Sequence, residues 1–119
     1  VEKVYYPGLQ EHPQHELAKK QHIDPNGGYA FGGMISFNLK GNKLKDAITV
    51  VSNTHYFALA ESLGGVESLI GHPASMTHAA IPIEERQKIG VIDSLIRLSV
   101  GVESIDDLIS DLKTTFDLL

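Results

Sequence analysis

Apolar and polar positions alternate from Gly33 to Leu39, with Ile35, Phe37 and Leu39 on one side and Met34, Ser36 and Asn38 on the other. That period of two predicts a half-buried strand. From Lys43 to about Asn53 the period changes, and Leu44, Ala47, Ile48 and Val51 recur at helical spacing. Tyr56 to Ala60 reads as a second strand, Val66 to Ile70 as a short strand or turn, and Leu95 to Val100 as a third clear strand. A last amphipathic helix is predicted with Ile105, Leu108, Ile109, Leu112 and Phe116 as its buried stripe. Ser104 precedes it and Asp107 follows three positions later, close to a capping-box arrangement.

Punctuation residues place the rest. Val4 to Gly8 is extended and ends in a Pro7-Gly8 turn. A short helix over His15 to Gln21 is broken by Asp24-Pro25-Asn26-Gly27-Gly28, and Lys40-Gly41-Asn42 turns the chain. Pro82 suits a helix start, because the first turn leaves its missing donor unpaired anyway, and Gly90 ends that helix. Three or four strands interleaved with helices on short connections predict an α/β sandwich, an α+β arrangement with helices over one face of a mostly antiparallel sheet.

Composition narrows the class. The chain has 119 residues, one domain with a core of its own, and 42% hydrophobic with 21% charged residues is ordinary globular usage. A net charge of -5 with no block of Lys and Arg argues against nucleic acid as partner. The absence of cysteine excludes a disulfide framework and thiolate metal sites, and is compatible with a cytoplasmic location. No signal peptide or long apolar run is present, so no membrane contact is expected. Starting at Val1, the sequence fits a fragment excised from a longer protein.

Candidate chemistry sits in two segments that mix polar groups with residues suited to burial. In Ala60-Glu61-Ser62-Leu63-Gly64-Gly65, a carboxylate and a hydroxyl precede a Gly-Gly bend. In Leu95-Ile96-Arg97-Leu98-Ser99-Val100, Ile96, Leu98 and Val100 project to one face while Arg97 and Ser99 project to the other. Arg97 is thereby free to meet an anion, and its planar fork matches a carboxylate in a way lysine cannot copy. The six histidines, His12 and His15 in particular, lack the converging set that a metal needs, so no metal site is expected. Gly27-Gly28 and Gly32-Gly33 lack the context and the lysine of a phosphate loop and read as turns.

Together with His72-Pro73-Ala74-Ser75-Met76-Thr77-His78, these segments resemble the cystathionine γ-synthase and γ-lyase family of pyridoxal-phosphate (PLP) enzymes. Tyr6-Pro7-Gly8-Leu9, His12-Pro13-Gln14-His15-Glu16-Leu17, Gly32-Gly33-Met34-Ile35-Ser36-Phe37 and Asp106-Asp107-Leu108-Ile109 extend the likeness over almost the whole chain. The resemblance implies that residues 1–119 form a single C-terminal domain, and that the cofactor domain with the catalytic lysine precedes them. It implies that Arg97 holds the substrate α-carboxylate with help from Ser62, and that Thr77 stands behind them near the cofactor. It also implies that Glu61 accompanies substrates with a distal amino group, such as cystathionine.

On that reading the full-length protein uses PLP for γ-replacement or γ-elimination on cystathionine or an O-acylhomoserine, and assembles as a homotetramer. The chain alone has no catalytic residue, binds no cofactor, and is inactive without its own N-terminal domain. An O-acylhomoserine sulfhydrylase or methionine γ-lyase parent is the alternative within the family, and a non-catalytic binding or assembly module is the alternative from another class. Two stretches depart from the family pattern. Gln21 to Phe31 is longer than usual, and Asn53-Thr54-His55 stands where a more apolar run is common.

Overall fold

The computed structural model describes residues 1–119, and its centre is a sheet of five strands: β1 (Lys3–Tyr5), β2 (Met34–Asn38), β3 (Ala58–Leu59), β4 (Leu69–Gly71) and β5 (Leu95–Ser99). Their order is β1-β2-β5-β4-β3. The pairs β1–β2, β2–β5 and β4–β5 are antiparallel, and β3–β4 is parallel. The α+β expectation holds, with two refinements. There are five strands where three or four were expected, because Lys3–Tyr5 pairs with β2 and Leu69–Gly71 is a true strand. The sheet is mixed because the 61–68 segment carries the chain across from β3 to lie parallel beside it.

The alternation read from sequence sorts the two faces. Register places Phe37 opposite Ile96, and Leu98 between Ile35 and Ile70. These side chains form the core with Ala47, Val50 and Val51 of α2 (Leu44–Ser52) and Leu108 of α4 (Ile105–Phe116). Phe116 closes one end, its ring edge-on to Phe37 at 5.8 Å between centroids. Burying a side chain of this size stabilises the fold by about 2 kcal/mol. The helical layer consists of α2 and α4; α1 (His15–Gln21) and α3 (Ile83–Lys88) are short and lie in connections. No helix is long and apolar enough to cross a membrane.

The helical stripes are narrower than expected. Leu44 and Ile48 of α2 are exposed, as are Ile105 and Ile109 of α4, and Asp111 and Thr115 are buried instead. Each helix carries two apolar stripes, and only one can meet a single sheet face. Ser104 occupies the position before α4, but its side chain makes no capping hydrogen bond.

The long 21–31 segment folds into a small hairpin. Asp24 Oδ1 accepts from the N–H groups of Asn26 (2.6 Å) and Gly28 (3.1 Å), Gly27 turns with φ 85°, and Ile23 bridges Tyr29. Phe31 then packs among Tyr6, His15, His22 and Tyr29. His15 Nδ1 donates to the Pro7 carbonyl at 2.8 Å, and His12 Nδ1 accepts from the Gln14 N–H at 3.1 Å. Both histidines are thus occupied in fixing turns, and no group of three potential metal ligands converges.

Candidate substrate-carboxylate site

The sheet face opposite the helices carries the candidate site. Ser36, Arg97 and Gly71 lie abreast on β2, β5 and β4. Arg97 is half-buried, and its Nη2 donates to the carbonyl oxygens of Glu61 at 2.8 Å and Ser62 at 3.1 Å. These bonds fix the guanidinium plane while Nη1 and Nε bond to no group of the chain. The N–H groups of Nη1 and Nε are therefore left for an anion; each two-pronged edge of a guanidinium includes Nη2, so a carboxylate bound bidentately shares Nη2 with these carbonyls or displaces one of them.

Glycine at position 71 makes room for this arrangement. A Cβ there would stand 3.1 Å from the Ala60 carbonyl and 3.7 Å from Arg97 Nη2. At the Gly64-Gly65 bend the glycines serve the backbone itself. Gly64 has φ 78°, and a Cβ on either residue would meet nothing within 4 Å. Backbone conformation, not crowding within the chain, demands glycine at 64.

Arg97, Glu61 and Thr77 border one narrow cleft with Gly71, His72 and Met76. The Glu61 side chain is exposed and has no partner within the chain. Thr77 Oγ1 lies 2.7 Å from His78 Nδ1. Ser62 meets Arg97 through its carbonyl, and its hydroxyl makes no hydrogen bond in the chain. The structure thus brings Arg97, Glu61 and Thr77 to one cleft and adds Ser62 through its backbone.

Several supports of the cleft escaped the sequence reading. His72 is fully buried, with Nε2 donating to the Asp93 carbonyl at 2.9 Å and Nδ1 2.7 Å from Ser75 Oγ. The carbonyl partner assigns the proton to Nε2. Arg86, nearly buried, binds Asp93 Oδ1 at 2.7 Å and fastens the segment before β5 to α3. Asp111 reaches from α4 to the start of β3, accepting from His55 and Tyr56 N–H at 2.8 Å and Phe57 N–H at 3.2 Å. Burial works to raise its carboxyl pKa, and these N–H groups, with His55 nearby, outweigh burial and hold it below its usual value. Ser68 donates its N–H and its hydroxyl to Glu103, each at 2.7 Å. The Ser68 N–H, more than its hydroxyl, depresses the Glu103 pKa. The partners of Asp111 and Glu103 lie 35 or more positions away, so no local pattern announces them, whereas His72–Ser75 and Arg86–Asp93 are near neighbours in sequence.

No lysine borders the cleft, so nothing in these residues could hold PLP covalently; the donor set suits a carboxylate. A model of the "Cys/Met metabolism PLP-dependent enzyme" family matches residues 1–117. Cystathionine beta-lyase of Lactococcus lactis subsp. cremoris (strain MG1363) is 60% identical over 118 residues, 98% of this chain and 29% of that protein. Cystathionine gamma-lyase of Dictyostelium discoideum is 51% identical over 117 residues, 98% of this chain and 28% of that protein. Among solved structures, cystathionine gamma synthase from Xanthomonas oryzae pv. oryzae, in complex with cystathionine, aligns with a TM-score of 0.83 and 49% identity. That alignment covers 98% of this chain and 28% of that one. The chain therefore spans less than a third of the length of the relatives it matches. With the match extending over all but two of its residues, this chain belongs to the Cys/Met metabolism PLP-dependent enzyme family.

Proposed function

We propose that the chain is the C-terminal, substrate-carboxylate-binding domain of a PLP-dependent trans-sulfuration enzyme acting on cystathionine or a close sulfur amino acid. The observation that supports it is the Arg97 guanidinium at the border of the cleft, tied through Nη2 to two carbonyls, with Nη1 and Nε bonded to no group of the chain. The rest of the protein supplies PLP, which withdraws electrons from the substrate Cα when bound. This chain orients the substrate. Arg97 holds the α-carboxylate, the Glu61 carboxylate faces a distal ammonium group, and Thr77 lines the cleft beside them. Without the cofactor and its lysine, the chain alone turns over nothing.

Cystathionine has a carbon–sulfur bond on either side of its sulfur, and the relatives' names divide between them. We place the protein with the γ-synthase and γ-lyase branch on the strength of Glu61. The 60% identity to a cystathionine beta-lyase favours a second reading, cleavage on the β side.

Full-length protein supplied with cystathionine tests the proposal and separates the branches, since γ-elimination yields 2-oxobutyrate and β-elimination yields pyruvate. Arg97→Ala is expected to lower kcat/KM by about a hundredfold, the scale of a lost buried charge-assisted pair. Absence of both keto acids together with no cystathionine formed from an O-acylhomoserine and cysteine, or an Arg97→Ala variant as active as wild type, overturns the assignment.

A further inference from the structure

The 61–68 segment, which carries Glu61 and Ser62, is fastened to β5 and its exit at every second residue. Arg97 reaches the Glu61 and Ser62 carbonyls, Ser99 Oγ accepts from the Gly64 N–H at 2.7 Å, and Glu103 holds Ser68. The Gly101 N–H adds a bond to Ser68 Oγ at 2.9 Å. Within this ladder the Ser99 rung differs from the others. Residues 63–65 make no other hydrogen bond in the chain, and the segment from Glu61 to Gly65 is exposed. Backbone pairing resumes only at Ala60, bonded to Ile70, and at Val66, bonded to Val102.

We propose that Ser99 is a positioning residue for the substrate carboxylate: by holding the Gly64 bend it aims the Glu61 and Ser62 carbonyls, and through them the Arg97 fork. The inference rests on the carboxylate-binding role proposed for Arg97 above. Ser99 is 2% exposed, so its hydroxyl is held where it is. It sits two residues from Arg97 on the same strand face, which fixes their separation at about 6.6 Å along β5. One rigid strand thereby carries both the arginine and the anchor of the loop that orients it. If the bend relaxes, the two carbonyls leave Nη2, and the guanidinium loses the orientation in which they hold it. Ground-state and transition-state binding should suffer alike, because the carboxylate is held in both.

The test uses the full-length protein with Ser99→Ala, Ser99→Thr, Arg97→Ala and the Ser99→Ala/Arg97→Ala double variant. KM and kcat are measured with cystathionine, and competitive inhibition with L-norleucine and with its amide, L-norleucinamide. Losing one hydrogen bond from the loop should raise KM and the L-norleucine inhibition constant roughly tenfold, with kcat within about twofold of wild type. The amide should be unaffected, Ser99→Thr should recover binding because it keeps the acceptor oxygen, and Ser99→Ala should add nothing once Arg97 is gone. Amide hydrogen exchange across residues 58–66 should quicken in Ser99→Ala.

Equal losses for L-norleucine and its amide, or a Ser99→Ala effect that persists without Arg97, would overturn the inference and leave Ser99 a packing residue. If Arg97→Ala weakens L-norleucine binding while Ser99→Ala does not, the inference fails and the carboxylate site stands. If Arg97→Ala is itself silent, the site fails and the inference with it. Should Ser99→Ala not fold, Ser99→Cys, of similar shape but a weaker acceptor, is expected to give a smaller loss of the same selectivity; no loss there overturns the proposal.

Discussion

Arg97 Nη2 lies 2.8 Å from the carbonyl oxygen of Glu61, so the residue whose side chain is proposed to sense the substrate's far end also steers the arginine with its backbone. The two roles are separable because a side-chain substitution leaves the carbonyl in place. Glu61→Ala in the full-length protein is expected to raise KM for cystathionine about tenfold, with far less effect on an amino acid lacking a distal ammonium. Steady-state kinetics on the pair of substrates checks this; equal losses on both would mean that the carbonyl, not the carboxylate, is what the substitution disturbed.

Acid should loosen the same segment from its other end. The Glu103 carboxyl is held below 4.5 by the Ser68 N–H first and its hydroxyl second, and Asp111 is held below 3.8 by three backbone N–H groups despite burial. A carboxyl whose pKa is lower folded than unfolded contributes stability above the unfolded value, and that contribution disappears as pH falls through the folded value. Stability is therefore expected to hold steady at neutral pH and to fall below about 4.5, with Glu103→Gln showing a shallower decline. Unfolding midpoints of wild type and variant across that range measure it. Parallel curves would assign the acid sensitivity to other carboxylates.

How much of this was readable beforehand depended on whether the cause was local. The alternation of Ile35, Phe37 and Leu39 placed β2, and the facing of Arg97 away from Ile96 and Leu98 gave the site its side of the sheet. Lys3–Tyr5 is too short and too exposed to announce itself as a strand; its pairing with β2 does that. The stripes through Leu44 and Ile105 misled because periodicity shows which residues share a face, not which of two apolar faces meets the sheet. Asp111 and Glu103 were invisible for a related reason. Their partners lie 54 to 56 and 35 positions away, and those partners are mostly backbone N–H groups with no identity in sequence.

Gly101 marks the tightest passage in the ladder. A Cβ there would collide with the Val66 carbonyl oxygen and stand 2.6 Å from both the Glu67 carbonyl carbon and Glu103 Oε2. Two of the three neighbours are backbone, which cannot swing aside as a side-chain tip can. Gly101→Ala is expected to cost about 2 kcal/mol or more of stability, since the strand exit and the 66–68 segment must separate. Denaturant unfolding of the full-length protein reports the loss. A variant as stable as wild type would show that this crossing can open at no cost.

Asp111 ties the outer helix to the strand that feeds the site. Its two carboxylate oxygens take three successive N–H groups at residues 55–57, immediately before β3 begins at Ala58. Ala60 and Glu61 follow within a few residues, so the point where the chain enters the candidate site is set by a side chain on the far side of the core. Asp111→Ala strands three donors, one belonging to the buried Phe57, and is expected to destabilise the fold by about 3 kcal/mol. Asp111→Asn keeps one oxygen acceptor but turns its NH2 group toward N–H donors that cannot accept, so it should recover only part of that loss. Because the damage begins upstream of Glu61, both variants should also weaken binding of a substrate carboxylate at temperatures where they remain folded. A destabilised Asp111→Ala protein with unchanged KM would show that residues 60–62 are held by the sheet and Arg97 alone, independently of α4.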